Sequence, residues 1–376
     1  MLAHPPLWFV VVAFVCALGP LVFFHELGHY FVARLFKVPA EVFSIGFGRE
    51  LIGWTDKQGT RWKVAWLPLG GYVKFVGDMG PASTPADLED VPEHLRDRVF
   101  QVQPVWQRFL IVLAGPFANF VLAIAIIAGF IAIYGAASTP NLVVGTVPHT
   151  AAERAHLKVG DRIVSIAGRS TSNFEEISQL AGLYPDQDVR LQVSRNGQTF
   201  DIDVHLGTQV LKDRFGQAYR IGLLGIPVPP RQFERVAPKD VLPLAVERTA
   251  FLARSMFDGL WQIITGQRSL QEIGGPIKIA KLAGDQASLG GEDFIALLAF
   301  LSINLGFINL LPVPMLDGGH LFFYAIEAVR RRPLSARALD WAFRGGLALI
   351  LALLVFVTVN DLGSLGLWDG LQRLIG

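Results

Sequence analysis

The sequence predicts a polytopic α-helical membrane protein. It should have four transmembrane helices, a small membrane-associated β region on the cytoplasmic side, and one compact extracytoplasmic module. Three observations predict this. Of 376 residues, 52% are hydrophobic and only 17% are charged, so much of the chain needs an apolar solvent. Four long apolar runs stand apart along the chain. The Lys and Arg residues that flank these runs crowd into two of the three intervening loops.

The first span is placed at 5–36. Leu7 to Phe24 holds no ionisable side chain except the Cys16 thiol. No Lys or Arg precedes this run and no small-residue cleavage site follows it, so it reads as a retained span rather than a signal peptide. Cys16 is the single cysteine, which excludes an internal disulfide and a cysteine-based zinc cluster. Residues 37–107 form a cytoplasmic loop with short strands at Val42 to Phe47, Leu51 to Thr55, Arg61 to Trp66 and Tyr72 to Val76. Its Pro- and acid-rich stretch 79–97 reads as a loop. The second span is 108–134, where Phe109 to Tyr134 carries no charge.

Residues 135–208 hold the compact module, with alternating strands at Val189 to Val193 and Thr199 to Val204. Residues 209–292 read as a linker, to 240, followed by amphipathic helices, the first at Val241 to Ile264. The third span, 293–327, is broken by Asn304, Asn309, Pro312, Pro314, Asp317 and His320. Such a span is tolerated only where it faces protein or a wet cavity. The fourth span is 342–360. Arg34, Lys37 and Arg108 flank the first loop, and Arg330, Arg331, Arg332, Arg337 and Arg344 crowd the third. By the positive-inside rule both loops are cytoplasmic, and both termini and the module are extracytoplasmic. Lys plus Arg (33) nearly balance Asp plus Glu (32). With no basic stripe among aromatics, nucleic acid is excluded as an expected partner and the lipid bilayer takes its place.

The chemistry concentrates at His25-Glu26-Leu27-Gly28-His29. Histidines four apart share one helix face and can reach one zinc ion. Glu26 stands beside the first of them, placed to take a proton from a water activated there. Ionisable residues at the end of an apolar span are costly in hydrocarbon and functional by default; His25 lies about 27 Å along the helix from Leu7. A catalytic zinc needs a third protein ligand. Asp317, a carboxylate in the third span after Pro312 and Pro314, is the leading candidate. His320 competes with it.

These residues closely resemble the site-2 protease family of intramembrane zinc metalloproteases, of the bacterial regulator-of-sigma-E protease type. The resemblance rests on Phe24 to His29, on Gly115-Pro116-Phe117-Ala118-Asn119, and on Asn309 to Gly318, and covers nearly the whole chain. It implies zinc ligands at His25, His29 and Asp317 and a catalytic base at Glu26. It also implies that Asn304 and Asn309 hold the substrate backbone, although both could serve as helix–helix hydrogen bonds. Gly46 to Gly48 and Leu69 to Lys74 look like the family's membrane-associated β region. There Gly71 and Tyr72 would bind an unwound substrate as an added strand, unless the region only covers the cytoplasmic mouth.

Ala151-Ala152, Leu157, Gly160 to Val164 and Gly168 resemble a PDZ domain, and this chain holds one such domain where some members hold two. The implied reaction is peptide-bond hydrolysis within transmembrane segments of single-span membrane proteins. Anti-sigma factors first shortened by an upstream site-1 protease, or remnant signal peptides, are the implied substrates. The implied home is the bacterial inner membrane. A catalytically silent PDZ scaffold is the rival reading, and a metal transporter a second. The intact His25, Glu26, His29 and Asp317 oppose the first, and the absence of charged residues from Phe109 to Tyr134 and from Gly345 to Val359 opposes the second.

Overall fold

The computed structural model describes residues 5–77, 92–212, 218–230, 232–265 and 274–364. In chain order, the elements begin with α1 (Leu7–Leu35), β1 (Ala40–Thr55), β2 (Arg61–Phe75) and α2 (Val105–Tyr134). Next come β3 (Ala136–Ser138), α3 (Ala151–Arg154), β4 (Arg162–Ile166), β5 (Arg169–Ser170), α4 (Phe174–Gly182), β6 (Asp188–Arg195) and β7 (Gln198–His205). After these follow β8 (Gly207–Lys212), β9 (Ala218–Leu223), β10 (Gln232–Glu234), α5 (Pro238–Ile264) and α6 (Pro276–Leu289). The last three are α7 (Gly291–Asn309), α8 (Asp317–Arg330) and α9 (Ala336–Ser364). The chain divides into two compact units, 1–128 with 242–376, and 129–241.

Four helices are long and apolar enough to cross a membrane: Leu7–Leu35, Val105–Tyr134, Gly291–Asn309 and Arg337–Leu362. In the first unit, α1 ends where Val38 N–H bonds back to Ala33 O (2.9 Å) across Lys37, whose φ is 63°. This six-to-one closure usually employs glycine. Here the fully buried Val38 anchors it.

β1 and β2 are each bent, and each pairs with the other twice. Segment 42–45 lies against both 61–64 and 71–74, and 50–55 lies against 61–65. The result is four antiparallel segments in the order 71–75, 40–45, 61–65, 50–55. Segment 71–75 is therefore one edge. A core of Ala33, Val38, Phe43, Phe75, Phe100, Ile111, Val112 and Leu321 joins this sheet to α1, α2 and α8. A second core of Ala13, Ala17, Leu21, Ala283, Leu297 and Leu301 packs α1 against α6 and α7. The fully buried Asp361 of α9 accepts from Gly275 N (3.1 Å) and Lys278 N (3.0 Å), capping the N-terminus of α6.

The third apolar segment is not one helix across 293–327. It stops at Asn309 and resumes as α8 at Asp317. Pro312 and Pro314 cannot supply the amide protons of a continuous helix. The break folds back tightly, so that a Cβ on Gly318 would meet Leu311 O at 2.2 Å.

In the second unit, a four-stranded sheet in the order β5-β4-β6-β7 packs against α4 through Ile163, Ile166, Ile177, Leu191 and Val193. Asn173 caps α4 by accepting from Glu176 N (2.9 Å). The expected end of the module at 208 requires correction. The stretch 209–240, read as a linker, holds the β8–β9 hairpin and β10, and Leu206 and Leu224 are buried in the unit's core. Polar residues such as Gln209 and Arg220 on the hairpin's strands hid its period-two pattern.

Candidate metal centre and active site

α1 carries His25, Glu26 and His29 on the face turned toward α2 and the sheet edge, and all three are buried. α8 begins at Asp317, so the Pro-rich break delivers that carboxylate at a helix start. The two elements meet. His25 Nε2 lies 3.1 Å from Asp317 Oδ2, His29 Nε2 lies 3.5 Å from the same oxygen, and the two ring nitrogens are 3.3 Å apart.

These three atoms fit a zinc ion. Ligands about 2.0–2.1 Å from a tetrahedral zinc stand about 3.3–3.4 Å from one another, close to the three separations observed. Asp317 Oδ2 is buried yet makes no hydrogen bond among the described residues. A buried carboxylate oxygen aimed at two imidazole nitrogens is costly unless a proton on one of them or a shared cation joins them. His29 Nδ1 donates to Ile111 O (2.9 Å), which leaves Nε2 as the nitrogen with the free lone pair.

Space for these rings is set from α2. A Cβ on Gly115 would fall 2.1 Å from His29 Nε2. Four residues on, the fully buried Asn119 places its amide nitrogen 3.0 Å from His25 Nδ1. Its backbone carbonyl accepts from Ser302 Oγ of α7 (2.8 Å), tying α2 to α7 beside the site.

Glu26 is held from the sheet. Val73 N–H of the edge segment donates to its carboxylate, and a Cβ on Gly71 would lie 2.9 Å from Glu26 Cγ. A cavity of about 600 Å³ opens over this group. Gly71 and Tyr72 line it, as do Asn309, Met315 and His320. Asn304, earlier in α7, is not among its lining residues. His320 stands in the cavity wall with its ring 5.1 Å from that of Phe343. Among the described residues, the three-donor cluster able to hold a metal is His25, His29 and Asp317. Arg108 of α2 pairs with Glu327 of α8 (2.7 Å) and lies over the ring of Tyr324, which also lines the cavity.

Ile111, Gly115 and Asn119 were not singled out as site residues by sequence reasoning. Gly115 and Asn119 belong to a quoted motif, but nothing in a linear pattern says that its glycine faces a histidine 86 residues away.

The arrangement can be compared with known proteins. The profile of Peptidase family M50 matches residues 13–353. A protein of Agrobacterium fabrum designated as a candidate zinc metalloprotease is 40% identical over 361 residues, covering 94% of this chain and 96% of that one. A Rhizobium meliloti protein of the same designation is 39% identical over 365 residues, 96% of this chain and 98% of that one. Metalloprotease MmpA of Caulobacter vibrioides is 37% identical over 378 residues, 94% and 95% of the two chains. Among solved structures, the PDZ domain of an SdrC-like protein from Listeria monocytogenes covers 24% of this chain and 87% of its own. At 18% identity and a TM-score of 0.19 it carries no argument. With a family profile spanning the chain from α1 to α9 and relatives matched nearly end to end, the chain belongs to peptidase family M50, the zinc-dependent site-2 metalloproteases.

Proposed function

We propose that this metalloendopeptidase cleaves peptide bonds within transmembrane segments of single-span membrane proteins, in the bacterial inner membrane. One observation carries the reading: His25, His29 and Asp317 converge at a cavity to which all four helices long and apolar enough to cross a membrane contribute lining residues, together with the sheet edge and α8. In this reading His25, His29 and Asp317 hold the zinc. When bound, that ion supplies Lewis-acid polarisation of the scissile carbonyl and makes water more acidic. Glu26, beside the first histidine, takes the proton of the attacking water and delivers it to the leaving amine.

A helical substrate hides its amide bonds in its own hydrogen-bond ladder and must be drawn out before hydrolysis. The edge segment 71–75, with Gly71 and Tyr72 at the cavity, supports capture of an extended substrate by strand addition. Asn309, which also lines the cavity, is suited to holding its backbone. The basic loops support an orientation with both termini and residues 129–241 extracytoplasmic. There the second unit, read as a PDZ domain, screens substrates that a site-1 protease has already shortened, anti-sigma factors or remnant signal peptides among them.

The test is cleavage of tagged single-span proteins by the purified full chain in lipid nanodiscs, with chelator and after zinc is restored. Cleavage inside the apolar span, abolished by chelator and recovered with zinc, is expected. Cuts confined to residues outside the span would overturn the reading.

A further inference from the structure

We propose that Asn119 is a positioning residue for the metal centre. Its side-chain oxygen accepts the Nδ1–H of His25 and so holds that ring in the tautomer that presents Nε2 to the metal. The proposal rests on the assignment of His25 as a ligand.

The observations concern one side chain. Asn119 is fully buried in α2 and its amide nitrogen lies 3.0 Å from His25 Nδ1. In that orientation the amide donates, Nδ1 is the acceptor, and the ring proton is forced onto Nε2. Yet Nε2 is the atom that lies 3.1 Å from Asp317 Oδ2 and 3.3 Å from His29 Nε2. A proton there is incompatible with metal binding, because a ligating imidazole nitrogen must offer its lone pair. The same orientation leaves Asn119 Oδ1 buried without a hydrogen-bond partner among the described residues.

The proton conflict ends, and Oδ1 gains a partner, if the amide is turned by half a revolution, which exchanges two groups of nearly equal shape and moves the amide nitrogen to the position Oδ1 held. Oδ1 then accepts Nδ1–H from His25. His25 matches His29, whose Nδ1 already points at the acceptor Ile111 O at 2.9 Å. Each histidine on α1 thus finds its acceptor on α2. They lie eight residues apart on that helix, a side-chain amide for one and a backbone carbonyl for the other. The Ser302 hydroxyl, donating to Asn119 O at 2.8 Å, fixes this part of α2 against α7. Acceptors of this kind fix ring orientation and raise ligand basicity, and losing one lowers metal affinity 10–100-fold.

The experiment is zinc affinity by chelator competition on the detergent-purified full chain, comparing wild type with Asn119→Asp, Asn119→Leu and His25→Ala. A carboxylate can only accept, so Asn119→Asp should bind zinc at least as tightly as wild type, whereas Asn119→Leu should bind it 10–100-fold more weakly. If Asn119 instead donates to Nδ1, Asn119→Asp loses zinc, and that result overturns the proposal. Wild-type affinity in Asn119→Leu overturns it as well. Should the leucine variant fail to fold, Asn119→Asp decides alone. His25→Ala separates the two layers: retention of wild-type affinity there defeats the ligand assignment itself. Loss there together with loss in Asn119→Asp defeats only the role of Asn119.

Discussion

Gly115 makes room for His29: a single methyl group at that position of α2 would stand 2.1 Å from the ring nitrogen that faces Asp317. Neither helix can yield easily. A Cβ on Gly28, the neighbour of His29, would itself meet Ala114 O at 2.2 Å, so α1 and α2 already approach backbone to backbone. Gly115→Ala should therefore push the His29 ring aside and weaken zinc binding at least about tenfold. Chelator competition on purified protein checks this, and wild-type affinity would show that the ring has another place to go.

Glu26→Gln and Asp317→Asn should look alike in activity and differ in metal content. The glutamine keeps an acceptor for Val73 N–H but cannot take a proton, so zinc stays near one per chain while the cleavage rate falls about 10²–10⁴-fold. The asparagine is a poor substitute for a carboxylate ligand and should lose the metal itself. Metal analysis beside cleavage of one transmembrane substrate reads both. Unchanged zinc affinity in Asp317→Asn would move the third ligand elsewhere.

Gly71→Val should impair catalysis without emptying the metal site. A Cβ there would have Ser44 O and Val22 Cγ1 at 2.7 Å and Glu26 Cγ at 2.9 Å as its nearest atoms, none of them on a proposed ligand. The expected outcome is a rate loss of about 10²-fold or more with zinc retained. Equal loss of zinc would mean that the sheet edge supports the ligands as well as the base.

In the second unit, Asp161 is fully buried and bonds both oxygens to Arg195, at 2.6 and 2.7 Å, with Lys158 N–H at 2.8 Å on one of them. Arg195 holds this carboxyl below the ordinary carboxylate range. A group whose pKa is depressed by folding stabilises the fold above its unfolded value, about 3.9. That stabilisation is lost as pH falls through the lower folded value. Protection of β6 and β7 amides in the full chain should therefore decline on acidification below about pH 4, and Asp161→Asn should remove that part of the slope. Arg195→Met should destabilise the unit at neutral pH, because it leaves the buried Asp161 carboxylate without its cation.

How much of this was legible in the sequence depended on whether a residue acts along the chain or across it. His25, Glu26 and His29 announce themselves because helical spacing alone brings them to one face. Asp317 announces itself because a carboxylate in an apolar segment demands a partner. Asn119, Gly115 and the Ile111 carbonyl act between helices, and their roles exist only once α1 and α2 are packed. The strands of the first loop were visible from alternation and turn residues, but not their double pairing. That pairing depends on bends near Gly46–Gly48 and Pro68–Gly70, which return each strand to the other's opposite side. The break between α7 and α8 was foreshadowed by Pro312 and Pro314. The β8–β9 hairpin was not, since its packing partners lie in the module that the linker reading had closed off.

The edge segment 71–75 has a consequence for where such an enzyme can cut. Side chains of a strand alternate between two faces, so an extended chain added to this edge keeps its outward and inward faces only when it slides by an even number of residues. Glu26, fastened to Val73 N–H, stays fixed relative to that edge while the substrate shifts. Secondary scissions on a low-complexity substrate would then form a ladder with a two-residue rung, readable by mass spectrometry. Fragments differing by single residues would mean that the chain is not held as a strand when it is cut.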